Sequence, residues 1–128
     1  SRWAARAEDA AQHMPQSPEV WLGETGHAQC GGEPGVSDTF AATLWWLDQL
    51  GVLAQRGQQV VVRQTLAGSH YGLLDDEDLA PRPDYWASVL HKRLFGTRVL
   101  AARAEGDPWL RAYAHCAPGG GATTLLLN

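Results

Sequence analysis

Val60, Val61 and Val62 stand unbroken inside QQVVVRQTL, and a continuous β-branched run of this kind marks a parallel strand buried on both faces. Parallel strands cannot be joined by a tight turn, because the chain must first cross back along the sheet, usually through a helix. The surrounding sequence supplies such crossovers. SRWAARAEDAAQHM places Trp3, Ala7, Ala10, Ala11 and Met14 near helical spacing and is stopped by Pro15. EVWLGE is a short apolar run whose Val20 and Trp21 suit a strand ending near Glu24. Residues 25–36 carry Gly26, Gly31, Gly32, Pro34 and Gly35 and read as loop. SDTFAATLWWLDQLG then predicts a helix with Ser37 as N-cap, Phe40, Leu44, Leu47 and Leu50 on its core face, and Gly51 as its end signal.

After the valine run comes a polar loop, AGSHYGLLDDEDLAPRP, which holds Tyr71. PDYWASVLHKRLFG reads as a helix with Pro83 in its first turn, basic residues His91 to Arg93 in its last, and Gly96 beyond. Helix, strand, helix, strand, helix is the order of parallel α/β units. Beyond Gly96 the pattern changes to TRVLAARAEG, WLRAYAHCAP and ATTLLLN, three partly alternating runs separated by Asp-Pro and Gly-rich turns, the beginning of an all-β region. Two parallel strands close no barrel and make no stable open sheet, so the expectation is a segment of something larger. A compact stand-alone α+β domain is the competing reading.

Composition narrows the function classes. Of 128 residues 45% are hydrophobic and 19% charged, as in an ordinary globular domain. Ten Lys and Arg against fourteen Asp and Glu give a net charge of -4, with no basic block of the kind a nucleic-acid footprint needs. No apolar stretch approaches the roughly 20 residues of a membrane span, so no transmembrane segment is expected, and no secretory signal is visible in the acidic first helix. Cys30 and Cys116 form no CxxC or Cys/His array, and none of His13, His27, His70, His91 and His115 has a second ligand at i+4, so no metal site is predicted. A serine nucleophile would need an elbow such as GxSxG, which is missing from the sequence.

What remains is Glu24. A carboxylate at the C-terminal end of a parallel barrel strand sits where (β/α)8 enzymes place catalytic groups, though an exposed Glu after a short strand can equally be a solvated one. Gly31 and Gly32 can bring backbone N–H groups close to an anion, or serve only as turn formers. No GxxxxGK[ST] phosphate loop is present.

VWLGETGHAQCGG, SDTFAATLWWLDQLG, VVVRQTLAGSHYGLL and PDYWASVLHKRLFGTRVL resemble consecutive blocks of the heparanase family, the family 79 glycoside hydrolases, in the same order and with nearly the same spacing, across residues 17–128. The resemblance implies the last two βα units of a (β/α)8 TIM barrel over residues 1–96, then the start of a β-sandwich domain over 97–128. It aligns Glu24 with the catalytic nucleophile. Gly31 and Gly32 align with the loop whose amides hold a uronic acid carboxylate, Tyr71 with a tyrosine bonded to the same group, and Gln64 and Ser69 with positions lining the cleft. The chain departs from vertebrate members in having Gln29 and Cys30 where they have tyrosine and glycine, and in a loop from Gln64 to Tyr71 shorter by one residue, similar to plant members. Cys116 falls where vertebrate members carry a cysteine paired far downstream.

The activity implied is that of a retaining β-glucuronidase acting on glucuronic-acid-containing glycans of the heparan sulfate type, with endo cleavage favoured and no metal or organic cofactor. A retaining enzyme needs two carboxyl groups about 5 to 5.5 Å apart. The family's acid/base glutamate lies in an Asn-Glu motif that does not occur in this chain, so the rest of the barrel is the implied partner. Asp75, Asp76 and Glu77 read as a solvated acidic loop rather than as substitutes. Exo-glucuronidase, an inactive glycan-binding relative and a purely structural domain are the other readings. Family substrates imply a secreted or periplasmic protein, and Arg63 is left open between cleft lining and structural pairing.

Overall fold

The computed structural model describes residues 2–128. Three helices and five strands follow in the order α1 (Arg2–Gln12), β1 (Trp21–Thr25), α2 (Phe40–Gln55), β2 (Val60–Arg63), α3 (Pro83–Leu94), β3 (Val99–Leu100), β4 (Arg111–Cys116) and β5 (Ala122–Leu127). β1 and β2 pair in parallel, Trp21 with Val60, Leu22 with Val61 and Thr25 with Arg63, with an irregularity between Leu22 and Thr25. α2 is their crossover, as a parallel pair requires. The remaining strands form an antiparallel sheet in the order β3-β4-β5. Mixed helix and strand with two small sheets is the composition of an α/β segment.

Local signals misplaced three features. Ser37 is not the N-cap of α2: that position falls on Thr39, while Ser37 is 1% exposed in the preceding loop. Gly51 does not end α2, which continues to Gln55 and stops at Gly57, whose φ of 80° suits a left-handed terminator. The expected core face is also turned. Ala42, Thr43, Trp46 and Leu53 are buried, whereas Phe40 is 63% exposed and Leu44 is exposed too. The valine run is only half-buried, with Val62 at 45% exposure, because β2 has a single strand neighbour and little structure laid across it. TRVLAARAEG pairs over just two residues, and β4 begins at Arg111, after a turn in which Asp107 accepts the Trp109 N–H.

The antiparallel sheet is fixed to the helices by a few buried groups. The Tyr113 hydroxyl donates to Asp48 Oδ1 at 2.5 Å, and its ring lies on Gly51, where an added Cβ would fall inside van der Waals contact with three ring carbons. That contact is why a glycine sits in mid-helix. At the other end of the junction His91 stacks on Phe95 at 4.6 Å, His115 meets Phe95 edge-on at 5.2 Å, and His115 Nδ1 hydrogen-bonds the Gly96 carbonyl at 2.8 Å. Burial, aided by His115, lowers the His91 pKa below its ordinary 6.5. α2 and α3 are joined by Trp46 Nε1 donating to Ser88 Oγ at 2.9 Å.

Gly51→Ala is expected to destabilise the full-length protein by up to about 2 kcal/mol. The gain of about 1 kcal/mol in helix propensity is outweighed by overpacking against an immovable ring, which costs about 1–3 kcal/mol. Thermal unfolding would read it, and a rise in melting temperature would mean that Tyr113 swings away freely.

Candidate active site

β1 and β2 end side by side, and what leaves them converges. Glu24 is the next-to-last residue of β1; it is exposed, and its carboxylate has no hydrogen bond or ion pair among the described residues. The next residue, Thr25, is held from two sides. Its carbonyl accepts the Gln64 N–H at 3.0 Å, and its hydroxyl accepts from Gln49 Nε2 of α2 at 2.9 Å. Gln64 thus departs from the end of β2 beside Glu24, and its bond to Thr65 is cis. The strand ending near Glu24 that the sequence suggested is present.

The two loops after these strand ends are laced together. The Tyr71 N–H donates to the Gly31 carbonyl at 3.1 Å. Gly31 and Gly32 have φ of 90° and 96°, which side-chain-bearing residues rarely adopt. A Cβ on Gly31 would lie 3.4 Å from Ser69 Cβ, and one on Gly32 would lie 2.7 Å from Ser37 Oγ and 3.1 Å from the Tyr71 ring. Gly31, Gly32, Ser69 and Tyr71 therefore form one cluster. Tyr71 is 8% exposed, and Ser69 Oγ is enclosed without a partner among the described residues.

Arg63 is the hub beneath this cluster, and the question left open by the sequence is resolved toward structural pairing. Its side chain is 4% exposed and pairs with Asp84, 3% exposed, at 2.9 Å. It also donates to the carbonyls of Gln64 at 2.6 Å and Tyr71 at 2.9 Å. The guanidinium carbon lies 5.4, 5.6 and 5.7 Å from the ring centres of Trp45, Trp46 and Tyr71, within cation–π range. One side chain joins β2, two points of the loop after it, α2 and α3. The sequence held no clue to this pairing except an arginine at a strand end and an aspartate in a helix first turn, 21 positions apart.

Two further groups were not foreseen. Arg82 Nη1 donates to the carbonyls of Ser69, His70 and Gly72, and Nη2 to Asp75 at 3.1 Å. The acidic loop is correspondingly less free than its composition suggested. Asp76 Oδ1 accepts the N–H groups of Gly68 and Ser69, and the Glu77 N–H and Arg82 hold the Asp75 pKa below its usual value. The other group is His27, whose Nε2 lies 2.7 Å from Ser37 Oγ. Its ring centre is 5.2 Å from that of Trp45 and 6.4 Å from that of Tyr71. Burial, then the charge of Arg63, lowers the His27 pKa from 6.5, with Asp84 opposing. Cys30, exposed with φ of 54°, and Cys116 are both free thiols. Among the described residues no three His, Cys, Asp or Glu side chains come together as a metal site, and no helix is long and apolar enough to cross a membrane.

Comparison with known proteins bears on the family. Residues 4–51 match the family described as glycosyl hydrolase family 79, N-terminal domain. The chain is 49% identical to heparanase-like protein 1 of Arabidopsis thaliana over 91% of its own length and 21% of that protein. It is 49% identical to heparanase of Rattus norvegicus over 82% of this chain and 20% of the relative. It is 41% identical to baicalin-beta-D-glucuronidase of Scutellaria baicalensis over 85% and 20% of the respective lengths. The chain therefore spans about a fifth of these relatives. With matches of this strength running through the strand ends and both loops, the chain belongs to the heparanase-like glycosyl hydrolase family 79.

Proposed function

We propose that this chain is the nucleophile-bearing part of a retaining β-glucuronidase acting on glucuronic-acid-containing glycans of the heparan sulfate type, with endo cleavage favoured. The observation that carries the reading is the placing of Glu24. A carboxylate with no partner among the described residues stands near the C-terminal end of a parallel strand, next to Thr25, whose carbonyl accepts the N–H of Gln64 as it leaves the next strand. The following loop packs two left-handed glycines against Tyr71 and Ser69. Relatives named heparanase and a glucuronidase lend support.

In this reading residues 1–96 are the last two βα units of a (β/α)8 barrel and residues 97–128 open a β-sandwich. Glu24 attacks the anomeric carbon of a β-linked glucuronic acid, and the bond to the leaving oxygen breaks as a second glutamate, from the part of the barrel outside this chain, protonates it. The glycosyl ester on Glu24 is then hydrolysed by water that the same glutamate deprotonates. Amide groups of Gly31 and Gly32 and the hydroxyl of Tyr71 hold the uronate carboxylate, while Gln64 and Ser69 line the cleft around the scissile bond. The chemistry calls for no metal or organic cofactor, and its polymeric substrates place the parent protein outside the cytoplasm, secreted or periplasmic. Exo removal of a terminal glucuronate is the second reading, favoured by the 41% identity to an enzyme named for a small glucuronide.

The test is a glucuronic-acid-configured probe that traps retaining nucleophiles, applied to the full-length protein and mapped by peptide mass spectrometry. Label on Glu24 is the expected result. Folded protein that binds glucuronate oligosaccharides yet takes no label on Glu24 would make it a glycan-binding relative instead.

A further inference from the structure

The residue of this site that neither the sequence motifs nor the proposed chemistry accounts for is His27. It lies three positions after Glu24, but its side chain turns away from solvent, between the rings of Trp45 and Tyr71, and meets Ser37 Oγ at 2.7 Å. That same oxygen accepts the Glu33 N–H at 2.7 Å, and Glu33 directly follows Gly32. The Ser37 N–H in turn donates to the Glu33 carbonyl at 2.8 Å, so residues 33–37 close on themselves around a hydroxyl anchored by the imidazole. On its other side Gly32 has no room for so much as a methyl group, because Ser37 and the Tyr71 ring fill that space. The Gly31–Gly32 backbone is therefore set from two directions, by Tyr71 through the Gly31 carbonyl and by His27 through Ser37.

We infer that His27 is a positioning residue for uronate recognition: through Ser37 it fixes the orientation of the Gly31–Gly32 amides toward the substrate carboxylate, without touching the sugar. This inference rests on the glucuronidase reading. The link needs no particular tautomer: Nε2 bonds the Ser37 hydroxyl as donor or acceptor while the same oxygen accepts the Glu33 N–H. A neutral ring fits the surroundings, because Nδ1 is enclosed with no partner among the described residues. The groups facing the ring agree: Arg63 from β2 opposes a positive charge, and Asp84 from α3 offsets only part of that.

The full-length protein separates a positioning role from a merely structural one. Hydrolysis of 4-nitrophenyl β-D-glucuronide and of the matching β-D-glucoside would be measured for wild type, His27→Ala, His27→Gln and Ser37→Ala, together with equilibrium binding of free glucuronate and the melting temperature. His27→Ala and Ser37→Ala are each expected to raise KM for the glucuronide and weaken glucuronate binding by ~10-fold, the scale of losing a supporting contact. kcat should change far less, and the residual glucoside hydrolysis should not change. His27→Gln, whose amide can donate to Ser37 Oγ, should restore most of the affinity. The double variant should be no worse than either single one, because both break the same link. Unchanged glucuronate affinity in His27→Ala overturns the inference, as does an equal loss on both substrates with a lowered melting temperature. Wild type that binds glucuronate without cleaving the glucuronide overturns the glycosidase reading alone. Wild type that does neither overturns both.

Discussion

Arg63→Ala is expected to cost the full-length protein about 3–5 kcal/mol, the usual penalty for stranding one member of a buried ion pair. Asp84 would be left without its counter-charge at 3% exposure. The loss extends beyond the pair, because the Gln64 and Tyr71 carbonyls would lose a donor and three aromatic rings would lose the cation at their centre. Arg63→Lys should recover little, since an ammonium cannot span three acceptors in the plane that a guanidinium does. Replacing both partners by apolar residues, Arg63→Met with Asp84→Leu, is expected to be milder than Arg63→Ala alone, because no naked charge remains. Thermal unfolding would measure all three, and a melting temperature for Arg63→Ala within a degree of wild type would remove Arg63 from its place as hub.

Glu24→Gln should do the opposite, leaving stability alone and removing turnover. The side chain is exposed and its carboxylate engages no described residue, so the melting temperature should move by no more than a surface substitution allows, about 0.5 kcal/mol. In the proposed double displacement the amide cannot form the glycosyl ester, and kcat on a glucuronide should fall by at least about three orders of magnitude. Loss of activity without loss of stability is the signature of a catalytic group, and the nucleophile-trapping probe distinguishes a nucleophile from an acid/base. A Glu24→Gln protein that hydrolyses the glucuronide at the wild-type rate would eliminate that role outright.

The contrast between these two residues also marks how much the sequence could tell. The strand-end position of Glu24 was legible because its signal is local: an apolar run, a carboxylate and a glycine loop are contiguous, and the parallel pairing of β1 with β2 follows from the helix between them. Arg63 was not, since its partner is 21 positions away and an arginine after a buried run fits a cleft as well as a pair. Ser37 and Gly51 were misread for the same reason. Serine before a helix and glycine late in one are genuine local signals, but a distant imidazole claims the first hydroxyl and a distant tyrosine ring covers the second Cα. Phe40 and Leu44 fell on the right period and the wrong side, because the periodicity of an all-round apolar helix does not say which stripe its neighbours will cover.

Arg82 closes the loop after β2 at its base, gripping Ser69, His70, Gly72 and Asp75, and the bridge between Leu74 and Pro81 completes the neck. Such a neck, to which the Asp75 N–H donating to the Ala80 carbonyl also belongs, leaves residues 77–79 as a tip whose hydrogen bonds among the described residues run only to Asp75 and Ala80 at its own base. Chain length can vary there cheaply, since doubling a loop adds only about 0.6 kcal/mol of closure entropy. A longer or shorter tip is therefore expected to leave the base of the loop, where Arg82 holds Ser69, His70 and Gly72, in its present shape.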